Sequence, residues 1–443
     1  MSSPDLTSLS AVASAELIAK GELLSTDLVA ACLDRIDARE GEVGAFAFVD
    51  RERALEQARA ADQARREGKG IGPMHGVPVG IKDIVDTADM PTTYGFPAFD
   101  GRQPERDAFL VSQLRSAGAV IIGKTVTSPL ANPGKIKTRN PHDLTRNPGT
   151  SSSGSAAAVA AGMVPLAVGS QTAGSVIRPA SFCGVYGYKP TFGLVSRTGV
   201  LMQSETLDTM GVLARSVEDL ALITDAMSGY DAADPASFLR SRPSLLATAR
   251  QDVPVPPLFA FVKSPFWDTA DADVHSAFGE LVEALGDQVQ DVDLVSLDDL
   301  FKQLMDVLAA ENAFHYGPIL DRSGDQMSEL LRANIERGRK LPAETYLRAK
   351  GMRESSYRMF QEIFADYGCI LTLSADSVAP KIDAPFTPNI NGVWTFLGVP
   401  VVSLPLLEID GLPLGVQLVG PRHDDGRLLR TARWLAGHIA EGE

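Results

Sequence analysis

Histidine and cysteine are scarce in this chain of 443 residues, and neither is arranged for chemistry of its own. The three cysteines, Cys32, Cys183 and Cys369, are an odd count at wide spacing. That excludes a disulfide framework or a four-ligand zinc site read from spacing, and fits reduced thiols in a cytoplasm. None of the six histidines begins an H-E-x-x-H, and His75, His142, His275, His315, His423 and His438 do not cluster. No serine lies in G-x-S-x-G and no lysine completes S-x-x-K, which removes the standard nucleophile elbows but leaves a triad assembled in space open. Positive charge is also short: 41 Lys and Arg face 56 Asp and Glu, and the net charge of -15 opposes a nucleic-acid partner. Long unbroken apolar runs are missing too. The uncharged stretch 147–177 is crowded with Ser, Thr and Gly, and 384–407 is interrupted by Pro385, Pro388, Pro400 and Pro405, so no membrane span is expected. The first 22 residues lack the basic and apolar regions of a secretory signal.

What remains is a globular composition, 44% hydrophobic and 22% charged, which argues against a disordered or fibrous chain. Five segments follow from the patterning. Residues 1–69 read as a helical segment packed on a core, because apolar residues recur at helical spacing and Arg51–Arg66 alternates charge like a solvated face. In 70–230, short apolar runs such as VPVGI and AVII alternate with Ala-rich helical text, the pattern of an α/β core with a buried sheet. Five prolines between 231 and 257 mark a connection. Residues 258–366 read as a mostly helical subregion, and β-like runs resume in 367–443, a return to the core sheet.

Three segments carry chemistry. GTSSSGSAAAVAA (149–161) and GSQTAGSVIRPA (169–180) are polar turns running into helices, where hydroxyls and unpaired N–H groups suit an oxyanion or simply cap the helix. In GVPVGIKD (76–83), Lys82 directly follows an apolar run. Either it is buried, which drives its pKa toward neutrality and makes it a base, or it snorkels to solvent from a strand end. A fourth string, Gly118 to Thr125, matches the phosphate-loop pattern G-x-x-x-x-G-K-[ST] literally. Its variable positions, Ala119 to Ile122, read as a buried strand instead of an anion-binding turn.

Taken together and in that order, the three segments resemble the amidase signature family of serine hydrolases. TRNPHD (138–143), GYKPTFGLVSRTGV (187–200), LDTMGVLARSVEDLALI (207–223), GVPVVSLP (398–405) and GLPLGVQLVG (411–420) extend the resemblance over about residues 60–230 and 368–440. It implies an α/β/α sandwich around a large mixed β-sheet. It also implies a Ser-Ser-Lys triad with Ser175 as nucleophile, Ser151 as bridging serine and Lys82 as base. Ser151 is preferred over Ser152 and Ser153 because it stands 24 residues before Ser175. The oxyanion hole would be the backbone N–H groups of Thr172, Ala173, Gly174 and Ser175, and the Thr150–Ser151 peptide would be cis. No metal or cofactor is implied.

Two positions depart from the family pattern. Ala173 and Thr150 stand where glycines are usual, and a methyl at 173 requires that the backbone avoid positive φ. The arginine usually found two residues after the nucleophile stands three after it, at Arg178. In the similar malonamidase and urethanase-like branch such an arginine can face an acidic substrate, while elsewhere a guanidinium pairs with a scaffold carboxylate. Phe386, Trp394 and Phe396 lie in a Pro-rich stretch that borders the cleft by resemblance, and either line it or fill the core. The expectation is a metal-independent serine amidohydrolase acting on the amide or carbamate (urethane) bond, or an ester, of a small, partly apolar or aromatic molecule. An amidase of small anionic monoamides using Arg178, a glutaminase subunit of an amidotransferase complex and a non-catalytic binding protein on this fold are the alternatives. Monomer and homodimer both remain open.

Overall fold

The computed structural model describes residues 5–263, 267–294, 297–385, 387 and 391–442. Among them, eleven strands form one mixed sheet: β1 (Phe46–Val49), β2 (Pro78–Lys82), β3 (Val120–Thr125), β4 (Leu166–Gln171), β5 (Tyr186–Lys189), β6 (Thr209–Ala214), β7 (Phe259–Phe261), β8 (Val289–Asp291), β9 (Cys369–Leu373), β10 (Val401–Ile409) and β11 (Leu412–Val419). Their order across the sheet is β1-β3-β2-β4-β6-β5-β10-β11-β9-β7-β8. Strand β2 runs parallel to both β3 and β4, while β4 is antiparallel to β6. The hairpin β10–β11 joins the C-terminal part to the core by pairing β10 with β5.

Alternation along the central strands explains the three layers. Ile121, Leu166, Val168, Met210 and Val212 enter one apolar cluster, whereas Val120, Ile122, Ala167 and Leu213 enter another on the opposite face. Both faces are covered, so these strands read as continuous apolar runs instead of alternating ones. This is the α/β architecture that the sequence implies. Three short strands were not expected: β1 lies inside the segment read as helical, and β7 and β8 lie inside the helical subregion, where they extend the sheet beyond β9.

The phosphate-loop string is strand, with Val120–Thr125 fully buried. Lys124 spends its Nζ on the carbonyl of Val85 (2.7 Å) and the hydroxyl of Thr92 (2.5 Å), with Asp83 at 3.6 Å. The small-residue helix Ser153–Ala160 lies against the end of β3. A Cβ on Gly154 would sit 2.2 Å from the carbonyl oxygen of Ala45 and 2.3 Å from the amide of Val126, so only glycine permits that approach. A third apolar cluster ties the helices Leu297–Ser323 and Ala343–Asp366 to the C-terminal strands. No described helix is long and apolar enough to cross a membrane.

Candidate active site

Lys82 is the last residue of β2 and is fully buried. Its Nζ lies 2.6 Å from Ser151 Oγ, 2.8 Å from Ser170 Oγ and 3.1 Å from Ser152 Oγ. Burial lowers its pKa from 10.5 to about 7, against the opposing pull of the Asp208 carboxylate. Lys189 is equally buried and also lowered to about 7, and Lys124 to about 8, so burial alone does not distinguish Lys82. The partners do. Lys189 Nζ donates to the carbonyls of Val399 (2.5 Å) and Pro190 (3.2 Å), groups that only accept, and Lys124 has a carboxylate beside it. Lys82 is surrounded by hydroxyls, which can give a proton as well as accept one.

The segment carrying Ser151 is stitched between two others. The amide of Ser128 donates to Ser151 O (3.3 Å), and the amide of Ser152 donates to Ser175 O (3.2 Å). The Thr150–Ser151 peptide is cis, as the resemblance implies. Gly149 turns the chain into this segment at φ +90, with Pro179 Cα 2.6 Å from where a Cβ would be. Ser152 Oγ donates to Ser170 O and accepts from Ser170 N, both at 3.2 Å, which locks this serine beside β4.

The turn 172–175 leaves the end of β4 and enters the helix Ile177–Cys183. Gln171 holds its far side, its Oε1 accepting from the amides of Val176 (3.0 Å) and Ile177 (3.1 Å). The same side chain donates to Thr395 Oγ1 (3.0 Å), which in turn donates to Ala173 O (2.8 Å). Thr172 Oγ1 donates to Asp208 (2.6 Å), a buried carboxylate that also accepts from the amides of Gln203 (2.7 Å) and Ser204 (3.0 Å). Burial raises the Asp208 pKa, against those hydrogen bonds and the nearby Arg197 charge. The turn is thus fixed on both sides, and among the described residues the amides of Ala173, Gly174 and Ser175 have no acceptor. Ala173 does not take a positive φ, which is how the turn tolerates its methyl.

Ser175, Ala173, Thr172 and Thr150 open onto a cleft of about 550 Å³. Its far wall is apolar, built by Phe301, Leu304, Met305 and Leu308 of the helix Leu297–Ser323 and by Leu330 and Leu331 of the helix Glu329–Lys340. Glu311, on the first of these helices, anchors that wall to the loop bearing Asp208. It accepts from the hydroxyls of Ser204 and Thr206, from the amide of Thr206 (3.1 Å) and from the hydroxyl of Tyr346 (2.9 Å).

Of the aromatic residues expected at the cleft, Trp394 is only 2% exposed and packs edge-on against Phe360, with ring centroids 5.7 Å apart. It belongs to the core and does not line the cleft, and Phe396 is fully buried in the same cluster. Phe386 lies outside the described residues. Arg178 is buried beside a second cavity, where its Nη1 donates to Thr387 O (3.1 Å). Sequence reasoning missed Ser170, Gln171, Asp208 and Thr395. Asp208 lies inside a recognised motif, and the others lie within or next to one, but their partners are distant in the chain.

A family model described as Amidase matches residues 27–429. A glutamyl-tRNA(Gln) amidotransferase subunit from Chloroflexus aggregans is 34% identical over 456 residues, covering 94% of this chain and 93% of its own. The protein of the same name from Salinispora arenicola is 33% identical over 481 residues, covering 98% of each. Among solved structures, one described as "An unexpected vestigial protein complex reveals the evolutionary origins of an s-triazine catabolic enzyme" superposes with a TM-score of 0.90 at 30% identity, over 98% of both chains. Native peptide amidase from Stenotrophomonas maltophilia gives a TM-score of 0.86 at 28% identity, over 98% of this chain and 97% of that one.

Proposed function

The chain belongs to the amidase family, and from that premise we propose that it hydrolyses the amide or carbamate bond of a small, partly apolar molecule through an acyl-enzyme on Ser175. One observation carries this reading: a fully buried lysine whose pKa is near neutral sits among serine hydroxyls beside a turn of unpaired amides. A neutral amine has two N–H groups and one lone pair. The hydroxyls of Ser170 and Ser152 take the two N–H groups, and the lone pair then faces Ser151, the shortest of the three contacts. Lys82 accordingly takes the Ser151 proton while Ser151 takes the proton of Ser175, and Ser175 Oγ attacks the carbonyl carbon.

The oxyanion is held by the amides of the 172–175 turn, where each well-placed donor is worth about 3 kcal/mol in the transition state. Collapse breaks the C–N bond, and the proton returns from Lys82 through Ser151 to the leaving nitrogen. Water then adds to the acyl ester by the same relay and regenerates Ser175 with release of the acid. Every proton and electron pair is supplied by these groups and the two substrates, so the mechanism uses no metal.

A second reading, a glutamine-hydrolysing component of an amidotransferase, is supported by the names of the relatives. The wall facing Ser175 favours the first. Phe301, Leu304, Met305 and Leu308 present a continuous apolar surface that suits an apolar group on the substrate, beside the polar lining of Asn132, Gln203 and Asn334. The test is hydrolysis by the isolated chain of a panel of aliphatic amides, anilides, aryl carbamates, dicarboxylic monoamides and glutamine. Anilides or aryl carbamates are expected to have the highest kcat/KM. Glutamine turned over faster than every other member would favour the second reading and overturn the first.

A further inference from the structure

The cleft at Ser175 is apolar on its helical side and polar at one corner. Outside the catalytic segments three polar side chains line it, Asn132, Gln203 and Asn334. Asn334 is half-buried on the helix Glu329–Lys340, whereas Asn132 and Gln203 are only 7% and 5% exposed and are bonded to each other. Asn132 Nδ2 donates to the carbonyl of Leu130 (2.8 Å), and Gln203 Nε2 donates to Asn132 Oδ1 (3.2 Å). A carbonyl only accepts, so that of Leu130 fixes which way round both amides stand. Each amide nitrogen carries a second N–H, and among the described residues neither of these finds an acceptor. Two spare donors are thus left at one corner of an otherwise apolar cleft.

The corner is held in a costly conformation. Leu130 and Ala131, next to Asn132, stand at φ +51 and +54, a region that residues with a Cβ rarely occupy. Leu130 N donates to Tyr94 O and Ala131 N to Ser128 O, both at 2.9 Å, and Tyr316 of the helix Leu297–Ser323 donates to Leu130 O (3.1 Å). Asn312 lies on the same helix, one turn before Tyr316 and one turn after Leu308 of the cleft wall. Its neighbour Glu311 accepts from Ser204 and Thr206, which follow Gln203. Asn312 is thereby held over the same corner, behind the cleft surface. It is fully buried, and neither its Oδ1 nor its Nδ2 has a hydrogen-bond partner among the described residues. A buried amide left unpaired is costly, and a polar guest that completes its bonds recovers that cost.

We propose that Asn132, Gln203 and Asn312 form a neutral polar subsite that takes a second, uncharged carbonyl group of the substrate. This rests on the amidase reading and refines its substrate class. The apolar body lies on the helical wall and the scissile carbonyl on the 172–175 turn. The second carbonyl oxygen accepts from the spare N–H groups of Asn132 and Gln203, and Asn312 completes the network from behind through a water. The guest is neutral because the buried Asp208 carboxylate, which accepts from the amide of Gln203 (2.7 Å), repels an anion at this corner.

The test uses the anilides of succinate, glutarate and adipate whose other end is a dimethylamide, a neutral group that accepts hydrogen bonds and cannot donate them. Each is paired with the branched alkanoyl anilide of the same shape, in which CH(CH3) replaces the second C=O and CH replaces its nitrogen. kcat/KM for aniline release is measured in wild type, Gln203→Met and Asn312→Leu, with Gln203→Leu in place of Gln203→Met if the latter does not fold. The readout is the ratio of dimethylamide to hydrocarbon, because the dehydration of each substrate cancels between wild type and variant. For at least one chain length that ratio is expected to fall about fivefold or more in Gln203→Met and about threefold or more in Asn312→Leu. A merely structural role for either residue would change both members of a pair alike. A ratio unchanged at every length in either variant overturns the subsite and leaves the amidase reading standing. Absence of turnover in wild type, or turnover that survives Ser175→Ala, overturns the amidase reading instead. Calorimetric affinities of the same pairs for Ser175→Ala, alone and combined with Gln203→Met or Asn312→Leu, decide the subsite in that case, since binding needs no turnover.

Discussion

Replacing Ser175 with alanine is expected to lower kcat by roughly four to six orders of magnitude while leaving the fold and the thermal transition unchanged. On the proposed mechanism the attacking oxygen is lost, and no neighbour can replace it. Ser151 and Ser152 are buried behind Ser175 and do not line the cleft, so a substrate carbonyl cannot reach them. Ser151→Ala and Lys82→Met are expected to lose comparable factors, because a relay that works as a unit fails with any member gone. Steady-state kinetics with an anilide, alongside circular dichroism of each variant, checks this. A well-folded Ser175→Ala protein with more than about a hundredth of wild-type activity would remove Ser175 from its role.

The second large effect is on pH dependence. As the proposed base, Lys82 must be neutral to accept a proton, and burial places its pKa at about 7. Activity is therefore expected to rise with pH, to be half-maximal near pH 7, and to fall about tenfold per unit well below it. The Asp208 carboxylate raises the Lys82 pKa. Asp208→Asn is accordingly expected to move the acid limb to lower pH, a direction opposite to that of a variant that merely lets water reach the lysine and restores its ordinary pKa. A kcat/KM profile between pH 5 and pH 10 on both proteins distinguishes them. A profile flat across neutrality, or one that falls as pH rises, would show that Lys82 is not the base.

The parts of this site that could be read from the sequence are those written in consecutive residues. Gly-x-Ser-rich turns running into small-residue helices, and a lysine at the end of an apolar strand, are local patterns, and the structure brings these three segments together at one place. Gln171, Asp208 and Thr395 were not legible. Each is a polar residue near the end of a buried element, and its role is defined by partners on other elements, such as Thr395 reaching Gln171 across 224 positions.

The cleft wall was hidden for a different reason. Leu304, Met305 and Leu308 look in sequence like the core face of an amphipathic helix, and nothing in periodicity separates a face that packs from one that walls a cleft. The reverse error befell Trp394. A large aromatic in a Pro-rich stretch reads as a loop contact, yet it is buried against Phe360. The strands β1, β7 and β8 were missed because three or four residues carry too little alternation to stand out from helical surroundings.

The acyl-enzyme itself offers the most direct test. Incubating the protein with a slowly deacylating aryl carbamate, whose phenol is a better leaving group than its amine and departs with the proton returned through the relay, and locating the adduct by peptide mass spectrometry is expected to show one carbamoyl group, on the peptide bearing Ser175, released at the rate at which activity returns. The adduct is expected to be absent from Ser175→Ala and to form more slowly below pH 7, as Lys82 gains its proton. A stable adduct on another residue, or full turnover of the carbamate by Ser175→Ala, would contradict the assignment of Ser175 as the nucleophile.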